Sequence, residues 1–109
     1  MKYYLCGPID SIGNKEINLK AFKDATYELR KLGYIIVSPI ETPSDPSYDY
    51  LDYIKEDLHE LIGCGAIIML PGWPQSRGAK GELQLAMYLK LEVYYYIANT
   101  VTLIDMNFH

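Results

Sequence analysis

Four short apolar runs separated by stretches of helical periodicity constrain this chain more than any other feature. Lys2 to Cys6, Tyr34 to Val37, Ala66 to Leu70 and Val93 to Ile97 have the length and the β-branched or aromatic character of strands. Between the first two runs, Ile17, Ala21, Ala25, Leu29 and Leu32 recur every three or four residues, with Asn14 as a cap before them and Gly33 as the stop after them. Leu51, Ile54, Leu58 and Leu61 mark a second helix, and Leu83, Ala86 and Met87 a third. Alternation of this kind predicts an α/β three-layer sandwich, a parallel sheet of four to five strands with helices on both faces and right-handed crossovers. Tyr34 to Val37 is continuously apolar, as a strand covered on both faces should be. Thr102 to Ile104 supplies the fifth strand. Ser38 to Tyr50, rich in proline and acidic residues, reads as a loop long enough to serve as a lid. Residues 1–109 are expected to form a single domain.

Composition narrows the class of partner. Half of the residues are hydrophobic and the net charge is -4, with ten lysines and arginines that form no stripe. A nucleic-acid polymer is therefore not an expected partner. A small anion still is, because helix amino termini bind phosphate whatever the net charge. No apolar run approaches the roughly 18 residues of a membrane span, and no leader precedes Lys2, so a cytoplasmic protein that does not engage a membrane is expected. Cys6 and Cys64 lack the partners of a disulfide framework or zinc cluster and read as buried thiols. His59 and His109 have no ligand at metal-binding spacing, so neither a metal nor a cofactor is expected.

The ligand-facing part of such a sheet is the carboxyl edge of its strands, where strand order reverses. Two segments reach it: Gly7-Pro8-Ile9 after the first strand, and Pro71 to Gly78 after the third. Glu82 follows in the first turns of the third helix, where the helix dipole favours a carboxylate. Ser76 with the amides of Gly78 and Ala79 can cradle a phosphate or hydroxyl, and Ser76 can equally be an ordinary helix cap. Trp73, set between glycine and proline, can stack on a planar base or cover the core edge. Asp57 borders the apolar face of the second helix, and Tyr4 is a strand tyrosine whose hydroxyl needs a partner. Two carboxylates and a tyrosine at one edge would suit cleavage of a glycosidic bond.

Tyr4-Leu5-Cys6-Gly7-Pro8-Ile9, Asp57-Leu58 and Ser76-x-Gly78-Ala79-x-x-Glu82 followed by Ala86 resemble the nucleoside 2-deoxyribosyltransferase superfamily, over roughly residues 3 to 97. The resemblance implies a Rossmann-like or flavodoxin-like fold. It implies Glu82 as the nucleophile that forms a glycosyl-enzyme intermediate, Tyr4 as the hydroxyl that holds it, and Asp57 as the acid assisting at base or sugar. It also implies that Gly7, Pro8 and Ile9 border the sugar and base. Ser76 stands where relatives that exchange bases carry an aspartate and those that hydrolyse nucleoside 5'-monophosphates carry a phosphate-binding serine. The chain departs from the family pattern at Asp10, in place of a basic phosphate contact that Arg77 or Lys80 can replace, and at Gly65, in place of an aspartate. The expected activity is an N-glycosidase, a hydrolase of the base–sugar bond of a (2'-deoxy)nucleoside 5'-monophosphate. The alternatives are base exchange by a 2-deoxyribosyltransferase, a catalytically silent nucleotide-binding module, and an interaction protein built on the same scaffold. The expected partner is a small nucleoside or nucleotide. A homodimer or larger homo-oligomer is expected as well; the resemblance implies pockets finished by carboxyl-terminal residues of a neighbouring subunit, a part that Asn107 to His109 could take.

Overall fold

The computed structural model describes residues 1–9, 15–43 and 45–106; Asp10, Asn14 and Asn107 to His109 lie outside them. Among the described residues five strands form one sheet: β1 (Lys2–Cys6), β2 (Ile35–Val37), β3 (Ala66–Met69), β4 (Glu92–Ile97) and β5 (Thr102–Asp105). Their order is β2-β1-β3-β4-β5, the doubly wound arrangement in which strand order reverses between β1 and β3. β1, β2, β3 and β4 pair in parallel, with Tyr4 opposite Val37 on one side and Ile67 on the other.

Among the described residues three α-helices cover the sheet: α1 (Lys15–Lys31), α2 (Tyr50–Ile62) and α3 (Arg77–Tyr88). α1 closes one core with Leu5, Ile36, Ile68 and Tyr96 beneath Phe22, Ala25 and Leu29. α2 and α3 close the other, in which Tyr4, Cys6, Ile67 and Met69 meet Leu61, Ala79 and Ala86. The division follows from the two-residue period of a strand, which sends Leu5 to the α1 side and its neighbours Tyr4 and Cys6 to the other.

Several expectations are corrected. β2 is an edge strand, with Ile35 58% exposed, because it pairs with β1 alone. β5 runs antiparallel to β4, since the four residues between them are too few for a crossover. The stretch from Ser38 to Tyr50 is not wholly loop. It holds a 3-10 turn over Pro39–Glu41, and Tyr50 already belongs to α2. That helix starts where Asp49 accepts from the Asp52 amide at 2.9 Å while Asp52 accepts from the Asp49 amide at 3.0 Å, a reciprocal capping box. Of the residues expected on helical apolar faces, Ile17, Ala21, Leu51 and Met87 are exposed, and so is Leu32, which lies just beyond α1.

Candidate active site

β1 and α3 build the site between them. Ala79, Glu82, Leu83 and Ala86 recur at three- and four-residue steps, so they form the stripe of α3 that faces the sheet. Ala79 and Ala86 are small and buried, which brings the helix close and carries Glu82 down onto β1. Met87 lies about 100° further round the helix and is 62% exposed.

The Tyr4 hydroxyl donates to Glu82 Oε2 at 2.6 Å. Cys6 Sγ lies 3.2 Å from Glu82 Oε1 and 3.5 Å from the Ala79 carbonyl oxygen. Burial pushes the Glu82 carboxyl above its usual range, and the Tyr4 and Cys6 donors pull it part of the way back. Burial and the neighbouring Glu82 charge raise both the Tyr4 hydroxyl and the Cys6 thiol. Asp57, on α2, is part-buried, and burial followed by the Glu82, Glu60 and Glu56 charges pushes it up to about 7. Two carboxyls therefore feel one another here, one bonded by two donors and one poised to hold a proton near neutral pH.

The turns around this pair are built for close approach. A Cβ on Gly7 would lie 2.9 Å from Leu70 Cβ, so only glycine lets the ends of β1 and β3 come this near. Pro8 is buried, and Asn18 Nδ2 from α1 donates to the Ile9 carbonyl at 3.0 Å, tying the turn to the opposite layer. Gly72 has φ 89°, the left-handed conformation that lets the chain enter the 3-10 turn Trp73–Gln75. Trp73 packs against the α2/α3 core, which is the core-covering alternative. Ser76 is 3% exposed and its Oγ accepts from the Ala79 amide at 3.2 Å, so it caps α3 and engages one of the two amides considered for a phosphate cradle. Gly78 is exposed beside it, with Arg77 and Lys80 in a first turn that has no acidic residue.

The structure thus bonds Tyr4 to Glu82 and sets Asp57 where it feels the Glu82 charge, and Cys6 is a further neighbour that the motif reading passes over. Its signal is its spacing: two residues beyond Tyr4, it must share Tyr4's face of β1. An open depression of 430 Å³ beside α1, lined by Lys23, Tyr27, Arg30 and Glu41 among others, has no comparable constellation. Its Arg30 and Glu41 bind one another through bonds of 2.7 and 2.8 Å. Among the described residues no group of three or more His, Cys, Asp or Glu is placed to hold a metal ion, and no helix is long and apolar enough to cross a membrane.

Residues 1–95 match a family described as a domain of unknown function, DUF4406. The chain belongs to that family. No curated protein matches the DUF4406 chain. Among solved structures it is similar to a 2-deoxyribosyltransferase from the psychrotolerant bacterium Bacillus psychrosaccharolyticus, with a TM-score of 0.69 and 24% identity over 88% of this chain and 72% of that one. The likeness is one of fold: this DUF4406 chain shares its α/β architecture with that enzyme.

Proposed function

We propose that the protein cleaves the N-glycosidic bond of a (2'-deoxy)nucleoside 5'-monophosphate through a glycosyl ester on Glu82. The observation that carries this reading is the Glu82 carboxylate held by Tyr4 at 2.6 Å with Asp57 raised to about 7 beside it. In the proposed reaction a Glu82 oxygen attacks the anomeric carbon, and the electron pair of the breaking bond passes to the base nitrogen. Protonated Asp57 supplies the proton that the departing base requires. Water then opens the ester, returning the sugar phosphate and free Glu82. The 5'-phosphate is favoured by the amino terminus of α3, where Arg77 and Lys80 stand with no acidic residue in the first turn.

A second reading, base exchange, is favoured by the similarity to a 2-deoxyribosyltransferase. The two differ only in whether water or a second base opens the ester. Incubating the protein with nucleosides and nucleotides, with and without a free acceptor base, and separating the products chromatographically tests both. Free base without acceptor supports hydrolysis, a new nucleoside only with acceptor supports exchange, and binding without either product supports a silent module. Glu82→Gln is expected to lower base release by at least about 10³-fold with the fold retained by circular dichroism. Unchanged turnover in that variant removes Glu82 as nucleophile.

We further propose a cytoplasmic homodimer or larger homo-oligomer in which a neighbouring copy helps to close the pocket. The exposed apolar residues Ile62, Met87, Tyr88 and Leu89 at the carboxyl ends of α2 and α3 are compatible with such a contact. Light scattering after size exclusion checks it, and a strict monomer that is fully active rules out a shared pocket.

A further inference from the structure

The Glu82 carboxylate has a different donor on each oxygen. The phenol of Tyr4 donates to Oε2 at 2.6 Å, a short charge-assisted bond. On Oε1 the neighbour is the thiol of Cys6 at 3.2 Å, and sulfur is a weak donor. Both donors come from one rigid strand, two residues apart on the same face, so their positions are fixed before any substrate binds.

Resting on the reading of Glu82 as nucleophile, we infer that Cys6 is a positioning residue whose thiol steers Oε1 to attack while Tyr4 holds Oε2. The unequal donors decide which oxygen does what. A strong donor withdraws electron density from Oε2, which suits the carbonyl oxygen of the ester that forms and polarises that ester for its later opening. A weak donor orients Oε1 and leaves it the more nucleophilic of the two.

Cys6 does not act as a nucleophile itself. Thiol chemistry needs the thiolate, and a buried sulfur beside a carboxylate stays protonated. The thiol carries one proton, and two acceptors compete for it: Glu82 Oε1 at 3.2 Å and the Ala79 carbonyl at 3.5 Å. Proximity and charge both favour Glu82. The Glu82 titration is set by its burial and by the Tyr4 and Cys6 donors of β1, and Glu82, Glu60 and Glu56 in turn act on Asp57 of α2.

The test has two arms. The S–H stretch of Cys6 is assigned in the infrared as the band missing from Cys6→Ala, and is then followed in Glu82→Gln. A shift to higher frequency on loss of the charge is expected, and an unmoved band means that the thiol serves Ala79, which overturns the inference. This arm needs no substrate, so it is decided even where the proposed activity is absent. In the kinetic arm, Cys6→Ala lowers kcat about tenfold with KM unchanged, the cost of one modest hydrogen bond in the transition state. It also moves the acid limb of the pH profile to higher pH, because a donor that pulled Glu82 down has gone. Cys6→Ser, which restores a donor, returns the limb toward the wild-type position and carries the test where Cys6→Ala does not fold. An unchanged acid limb in a folded, active Cys6→Ala overturns the inference, whereas an inactive wild type sinks the nucleophile reading alone.

Discussion

Glu82 and Asp57 are both raised chiefly by burial, and their roles diverge through what each is bonded to. Tyr4 and Cys6 donate to Glu82 and so favour its ionised form, whereas three nearby carboxylates act on Asp57 and favour its neutral form. On the proposed reaction, the active species has Glu82 ionised and Asp57 protonated. The rate should therefore rise with pH through the Glu82 titration and fall again through about 7 as Asp57 loses its proton. Asp57→Asn is expected to remove the falling limb and slow base release by about 10²–10³-fold, measured as kcat against pH. A basic limb that survives the substitution assigns it to another group. Tyr4 and Glu82 were legible because both sit in a spaced motif, and the structure bonds them to one another. In the sequence Cys6 reads only as a buried thiol, because strand alternation gives its face but not how closely α3 descends onto it.

Elements show the same division between what is local and what is not. α3 begins at Ser76, whose cap is a local device readable from Ser76-x-x-Ala79, and its loss is a local cost. Ser76→Ala should lower stability by about 1 kcal/mol, which for a chain of this size is roughly 4–8 °C in Tm. Ser76→Asp separates the cap from the ligand. Aspartate caps as well as serine, so Tm is retained, while its charge repels a 5'-phosphate. KM for a nucleoside monophosphate should rise at least about tenfold, with the plain nucleoside unaffected. An equal change for both compounds removes the phosphate from this end of α3. Helix faces were less legible than helix ends. The face read through Ile17, Ala21, Ala25, Leu29 and Leu32 is turned about the α1 axis: Ala25 and Leu29 stay in the core, the large ring of Phe22 joins them, and Ile17, Ala21 and Leu32 are left exposed. Thr26 enters that face because its hydroxyl donates to the Phe22 carbonyl at 2.7 Å.

At the scale of the whole molecule, alternation announced a doubly wound sheet, but strand order depends on pairing between distant segments. An apolar run such as Ile35-Ile36-Val37 looks the same at an edge as at the centre, which is why β2 was expected to be covered on both faces. That order puts β1 and β3 side by side at the centre of the sheet, where α3 lays the Glu82 carboxylate over Tyr4 and Cys6 of β1. The consequence is a stability that depends on pH in an unusual direction for acidic groups. Asp57 titrates at about 7 in the fold against 3.8 for an ordinary aspartate, so between those values the folded chain binds more protons than the unfolded one. Stability from this group is complete below about pH 4 and is lost as pH rises through 7. Glu82 is raised as well and adds to the same slope. The opposing shifts at Glu41 and Asp45 are at exposed positions and are screened by solvent. Discounted for the partial exposure of Asp57, its share is about 1–2 kcal/mol between pH 5 and pH 8. Denaturant unfolding at those two pH values should therefore find the wild type weaker at pH 8, with Asp57→Asn losing at least half of the difference. A slope left intact by the substitution would place the buried proton elsewhere, and with it the acid that the departing base requires.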